Sequence, residues 1–234
     1  MHFINPWLIL RKSFDDFRED TFFFVLFNMF WVTSSIPGFL LLGYGALIRF
    51  LPLVIIGIIV LIPWPLATFS LFHLAYRAAQ KQPLSLNSFF TTAWQLKQPA
   101  LIWGAINLLV LAILLSNIRF YTGLTSPLAH TLLGTLLRSL FTVLLSLWML
   151  WQLFTLAIYP RLKQPSFLLA VRNAGVLILK FPVPTFFVAI VSGLLLISGT
   201  LIPLLGFLVN ISFITLIVNR AIIEIRDEEN SLTS

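Results

Sequence analysis

Between Thr21 and Ile223 the chain contains no aspartate or glutamate. All eight carboxylates lie in the flanks: Asp15, Asp16, Glu19 and Asp20 before that interval, Glu224, Asp227, Glu228 and Glu229 after it. An ionised carboxylate at bilayer depth is costly, and where one persists it marks a proton relay or an ion site. So long an acid-free stretch, dominated by Leu, Ile, Phe and Val, belongs to a chain that lives in lipid. It also argues against carboxylate-driven ion coupling or hydrolysis inside the membrane. Hydrophobic residues make up 59% of the chain and charged residues only 10%, against about 45–50% and 25% in soluble domains. The expected fold class is therefore all-α, a polytopic helical membrane protein forming one integral membrane domain over residues 1–234. Its 234 residues leave room for roughly five to seven crossings and none for a separate soluble domain. The absence of cysteine removes disulfides, thiolate chemistry and cysteine–zinc sites.

Six spans are expected: about Phe22–Ile48, Phe50–Tyr76, Ala100–Ile118, Leu132–Tyr159, Pro184–Leu201 and Pro203–Ile223. The segment Ser34-Ser35-Ile36-Pro37-Gly38 should kink the first, and Pro63 and Pro65 should bend the second. Only Gly199-Thr200-Leu201-Ile202-Pro203 separates the last two, a tight hairpin. A five-span alternative would merge them into one long helix.

Orientation follows from lysine and arginine. With both tails and the segments 77–98 and 160–180 on one side, that side holds Arg11, Lys12, Arg18, Arg77, Lys81, Lys97, Arg161, Lys163, Arg172, Lys180, Arg220 and Arg226. The other keeps only Arg49, Arg119 and Arg138. This bias places both termini on the cytoplasmic side of the membrane. The net charge of +7 is then a topology signal met by anionic lipid headgroups, and no nucleic-acid partner is expected.

An internal repeat organises the chain. Leu71-Phe72-His73-Leu74-Ala75 followed by Lys81-Gln82-Pro83 recurs in one register as Leu153-Phe154-Thr155-Leu156-Ala157 followed by Lys163-Gln164-Pro165. After each proline comes a segment with the pattern of a helix lying in the headgroup plane. In 84–98, Leu86, Phe89, Phe90, Ala93, Trp94 and Leu96 form the apolar face, while Ser85, Asn87, Ser88, Thr91, Thr92, Gln95 and Lys97 form the polar one. Ser166–Lys180 is similar, with Arg172 and Asn173 as its polar marks. At the N-terminus Asn5 is a good helix cap and Pro6 a good first helical residue. Trp7, Leu10, Phe14 and Phe17 follow at spacings of three and four. Three parallel units are expected, at about 5–82, 83–164 and 165–226, each an interfacial amphipathic helix plus a transmembrane hairpin, with 227–234 as a polar cytoplasmic tail. Parallel units differ from the inverted repeats common in secondary transporters.

Several of these residues also carry a family resemblance. The run Phe27-Asn28-Met29-Phe30-Trp31, the stretch Trp64-Pro65-Leu66-Ala67-Thr68 leading to His73-Leu74-Ala75-Tyr76-Arg77, and the Phe89-Phe90 helix resemble the YesL-like family of small bacterial multi-pass membrane proteins of unknown function. Ala157-Ile158-Tyr159-Pro160-Arg161 and Val171-Arg172-Asn173-Ala174 resemble its second half. Family members are often encoded beside sugar-uptake systems. The resemblance thus implies an accessory role in such a system and implies no catalytic residues.

No catalytic, metal or cofactor site is expected, because His2, His73 and His130 have no second ligand at local spacing and every acid lies in a tail. The candidate contacts are instead Asn28, Trp31, His73, Arg77, Trp94, Asn107, Arg138, Gln152 and Asn173. Asn28, Asn107, Gln152 and Asn210 lie within spans, where amides either hydrogen-bond between helices or meet a lipid or small polar ligand. Arg138 either snorkels to the outer headgroups or binds a lipid phosphate or an acidic residue of another subunit. His73 reads as an interfacial or packing histidine. Trp94, Trp148, Trp151 and Tyr159 suit the aromatic belt. Two functions remain open. One is a non-enzymatic accessory or scaffold subunit whose partners are membrane lipids and other membrane-protein subunits. The other is a small transporter or channel for an uncharged or anionic solute, using helices broken at Pro37, Pro63, Pro65, Pro182 and Pro184.

Overall fold

Asn5 and Pro6 open the first helix as their chemistry suggests. The Asn5 side chain accepts from the Trp7 amide at 3.0 Å, and Pro6 lacks an amide where a helix has no use for one. The computed structural model describes residues 5–123 and 127–233, with side chains as far as Asp227. His2 and the side chains of Glu228 and Glu229 lie outside the described residues. Helix α1 spans Pro6–Glu19 and α2 spans Thr21–Leu47. Next come α3 (Leu51–Val60), α4 (Pro63–Ala79), α5 (Leu86–Gln95), α6 (Lys97–Thr122) and α7 (Leu132–Ile158). A 3₁₀ turn at Tyr159–Arg161 leads to α8 (Phe167–Lys180), α9 (Pro182–Leu201), α10 (Pro203–Leu208) and α11 (Asn210–Thr233). There is no strand among the described residues.

Among the described residues, five stretches are long and apolar enough to cross a bilayer: Thr21–Leu47, Leu51–Ala79, Lys97–Thr122, Leu132–Arg161 and Pro182–Leu201. The chain is a multi-pass helical membrane protein. Two expectations about these helices need amending. Pro37 does not interrupt α2, which stays one helix through it; the bend expected at Pro63 and Pro65 coincides with a helix break at Leu61–Ile62, just before them. The expected sixth span, Pro203–Ile223, is not one helix. It stops after Leu208 and restarts at Asn210.

The restarted helix is the axis of the molecule. Ile214, Leu216, Ile217, Val218, Ala221, Ile222 and Ile225 of α11 are all buried, and so are its polar residues Asn210, Ser212, Thr215 and Asn219. Helices α1, α2, α4, α7 and α9 all pack on it. A helix enclosed by others need not be apolar all round, because its polar groups meet protein rather than lipid. That is why α11 can carry more of the buried polar side chains than any other helix, while the outer spans carry exposed Leu and Ile such as Ile58, Leu109, Leu144 and Leu194.

Small residues let the spans close. A Cβ on Gly45 would lie 2.8 Å from the Val54 amide, and one on Gly57 would lie 2.6 Å from that of Leu42, so α2 and α3 touch backbone to backbone. Their connection turns through Arg49 at φ 55, an uncommon conformation for a side-chain-bearing residue.

Helices α1, α5 and α8 gather at the Lys/Arg-rich end. Ser85 caps α5 reciprocally with Ser88, and Ser70 Oγ donates to the Phe89 carbonyl at 3.0 Å. Phe89 stacks on Phe27 with ring centroids 5.0 Å apart. The apolar face expected for this helix is split. Phe89 is 3% exposed and faces the spans together with Thr92, which was expected on the polar face, while Phe90 (54%) and Trp94 (69%) face outward. Residues three apart share one flank and residues four apart the next. Helix α5 therefore has two apolar flanks, one against the bundle and one exposed.

Candidate functional site

Helices α2, α4, α6, α7, α9 and α11 meet in the middle of the bundle. Trp31 in α2, Asn107 in α6 and Ser192 in α9 each lie ten residues from the basic end of their helix, about 15 Å at 1.5 Å per residue. Trp64 and Thr68 of α4, Gln152 of α7 and Thr215 of α11 join them around a cavity of about 210 Å³.

The hydrogen bonds there are fixed by two indoles. An indole N–H can only donate. Trp103 Nε1 donates to Gln152 Oε1 at 2.8 Å, and Trp148 Nε1 donates to Asn107 Oδ1 at 3.0 Å. Both amide orientations follow. Asn107 Nδ2 then donates to the Trp103 carbonyl at 2.8 Å and to Gln152 Oε1 at 3.4 Å. On the other wall Trp31 Nε1 donates to Thr68 Oγ1 at 2.8 Å, and Thr68 passes its own proton to the Trp64 carbonyl at 2.8 Å. Two groups are left over. Gln152 Nε2 and Ser192 Oγ are buried and have no hydrogen-bond partner among the described residues.

Beside the cavity, one side chain bridges the break before α11. Asn28 Nδ2 donates to the carbonyls of Gly206 (3.0 Å) and Phe207 (2.7 Å) at the end of α10. Its Oδ1 accepts from the amides of Ile211 (2.9 Å) and Ser212 (3.1 Å) at the start of α11. Helix ends leave orphan donors and acceptors, and Asn28 satisfies both kinds at once. Asn210 Nδ2 donates to the Leu195 carbonyl at 2.7 Å, and Ser212 Oγ to that of Phe24 at 2.7 Å.

The basic end is held by charges. Asp16, fully buried on α1, receives both Nε and Nη2 of Arg220 on α11, the latter at 2.5 Å. Lys81 Nζ reaches Asp16 at 3.1 Å and Glu19 at 2.6 Å. The hydrogen bond to Glu19, assisted by Asp16, raises the Lys81 pKa, while burial raises that of the Asp20 carboxyl. Lys12 pairs with Glu224 at 2.6 Å. Arg161 donates to Asn219 Oδ1 at 2.6 Å and lies 4.7 Å from the Tyr76 ring centre.

Of the residues singled out by sequence, Trp31, Asn107 and Gln152 converge on the cavity and Asn28 sits at the adjacent helix break. The others are dispersed. His73 is half-buried, edge-on to Tyr76. Arg77 ties the Pro83 carbonyl at 3.0 Å. Trp94 is outward, with Lys97 Nζ 4.1 Å from its ring centre. Arg138 is exposed at the opposite end, and Asn173 lines a shallow cavity with Lys180 and Arg226. Among the described residues no three His, Asp or Glu side chains are grouped to hold a metal. Sequence reasoning missed Ser192, Asn219 and the Asp16–Arg220 pair. A lone serine in a span carries little signal, and the ion pair joins opposite ends of the chain. The chain matches no family model, no curated protein and no solved structure.

Proposed function

We propose that this protein is a non-enzymatic accessory or scaffold subunit of a larger membrane complex, with both termini on the cytoplasmic side of a bacterial cytoplasmic membrane. The resemblance to the YesL-like family points that complex toward solute uptake, sugars in particular. The observation that carries this reading is the platform at the basic end. Helices α1, α5 and α8 are each pinned to the bundle by a buried flank (Ile9 and Asp16, Phe89, Ala170 and Ala174) and each present large apolar side chains outward (Trp7 and Phe14, Phe90 and Trp94, Leu168 and Leu179). Exposed apolar groups beside lysines suit contact with headgroups and with the flank of another membrane subunit. The element order, an interfacial helix followed by two crossings, supports three parallel units, the last with its second crossing broken.

Purification in mild detergent tests the reading. A stoichiometric membrane partner, lost when Trp7 and Trp94 are changed to Ser, is the expected result; a monodisperse protein with no partner at any detergent strength would contradict it. Reporter fusions at residues 90, 170 and 230 should report cytoplasm, and those at 49 and 123 the outside.

A second reading is favoured by the broken α10–α11 helix that Asn28 bridges. Discontinuous helices near a cavity are a feature of transporter binding sites, and a small transporter or channel for an uncharged or anionic solute would use this one. Flux of solute through the isolated protein in liposomes, lost in Asn28→Ala, would favour it over the first.

A further inference from the structure

The geometry points to the cavity between Trp31, Trp64 and Trp103 as a binding site for a small, neutral, lipid-soluble cyclic molecule carrying one carbonyl-type acceptor. This holds whether the protein is a subunit or a carrier.

Three features define the ligand. The first is size. A cavity of about 150 Å³ in an engineered protein core takes up benzene, so about 210 Å³ accommodates one substituted ring and excludes sugars of several rings. The second is shape and polarity. Its walls are three indoles with Phe72, Leu111 and Met149 among the aliphatic and aromatic remainder, a lining suited to the flat face of a ring. No charged side chain lines it, so a charged ligand would be left unpaired at depth.

The third feature sets the chemistry. Gln152 and Ser192 are each only 4% exposed, yet Gln152 Nε2 and Ser192 Oγ have no partner among the described residues. The Gln152 amide cannot simply be turned over, since Trp103 Nε1 needs its oxygen as acceptor. Gln152 lines the cavity, and its nitrogen is therefore a donor left without a protein acceptor beside it among the described residues. A buried donor without an acceptor is rare in native proteins and calls for a specific explanation. A carbonyl oxygen on the ligand supplies the acceptor, and the Ser192 hydroxyl can donate to the same atom or to a second one. The neighbouring amide, Asn107, already has all its strong bonds within the protein, which leaves Gln152 as the recognition group.

Acetophenone and ethylbenzene form a matched pair of probes, alike in size and differing in the carbonyl. The full chain in lipid nanodiscs is titrated with each, and apparent affinities are taken from the concentration dependence of its melting temperature. Acetophenone is expected to bind about tenfold more tightly, the factor one ordinary hydrogen bond supplies. Gln152→Met should erase that preference while leaving weak binding of both. Ser192→Leu, which leaves the indole–amide network untouched and fills the cavity, should abolish binding of both; it keeps the test decisive where Gln152→Met fails to fold. Equal affinities of the two probes, no saturable shift with either, or a carbonyl preference that survives Ser192→Leu would overturn the assignment. So would a co-purifying phospholipid acyl chain that Ser192→Leu displaces and Gln152→Met does not.

Discussion

Asn107 and Asp16 are both buried polar residues with several partners, yet they are held by different physics. Around Asn107, some 15 Å along its helix from the basic end, every partner is a neutral dipole: the Trp148 indole, the Gln152 amide and the Trp103 backbone carbonyl. Around Asp16, at the basic end itself, the partners are the full charges of Arg220 and Lys81. A charge deep in hydrocarbon costs several kcal/mol, so the interior of this bundle is organised with amides and indoles. At the basic end the Lys81 side chain is about half exposed, and charge-assisted pairs satisfy the buried carboxylate. The comparison teaches where each region is vulnerable. Dipoles can be removed one bond at a time, whereas removing one member of a buried ion pair strands the other.

The largest effect is therefore expected at the basic end. Asp16→Ala leaves the Arg220 guanidinium, itself largely buried, without its carboxylate, a change that costs about 3–5 kcal/mol. It should release α1 from α11, seen as a lower melting temperature in detergent and as new proteolysis within Pro6–Glu19. A stability equal to the unaltered protein would mean that the pair is not desolvated.

Gln152→Leu should cost less. It orphans the buried Trp103 N–H and removes a weaker bond from Asn107, about 1–3 kcal/mol for one unsatisfied neutral group. If it matched or exceeded Asp16→Ala, the contrast between charges and dipoles would fail.

A smaller and pH-dependent effect is expected from Lys81. Its pKa is raised in the fold above the ordinary value of 10.5 by its bonds to Glu19 and Asp16. Its contribution is then fully present below about 10.5 and is lost as pH rises through the higher folded value. Lys81→Met should flatten this alkaline part of the stability profile; half of the side chain meets solvent, so the change is small. An unchanged profile would remove Lys81 from the cluster.

Least stability of all is expected to be lost with Phe90→Ser and Trp94→Ser together, because both rings already face outward. The spans should stay protected in inside-out vesicles while cleavage between Arg77 and Lys97 quickens. A segment already cut as fast in the unaltered protein would not be a docked helix.

Much of this was legible in the sequence. Asn28, Trp31, Asn107 and Gln152 stood out because a polar or indole group inside an apolar run must find a partner, and the structure gives each one. Helices α1, α5 and α8 were legible from Pro6, Pro83 and Pro165 and their apolar spacing. Phase was harder. Phe89 and Phe90 look equivalent in a helical pattern; both meet Phe30, but Phe89 also stacks on Phe27 and is the one buried. The break at Val209 was not legible, since no proline marks it and the side chain that satisfies it, Asn28, comes from the other end of the chain. The tail carboxylates were rightly placed outside the spans, but nothing local announces that Asp16 folds back under Arg220.

The central claim is that α11 is a polar axis enclosed by lipid-facing spans, and the lack of native cysteine makes it directly testable. Single cysteines at Thr215 and Asn219 on α11, and at Leu144 and Leu194 on the outer surface of α7 and α9, can be spin-labelled in nanodiscs and their collision rates with dissolved oxygen measured. Labels at 144 and 194 should collide freely with oxygen from the lipid, while those at 215 and 219 should be shielded from both oxygen and a water-soluble relaxation agent. Oxygen collision at 215 or 219 as frequent as at 144 would contradict the enclosed axis.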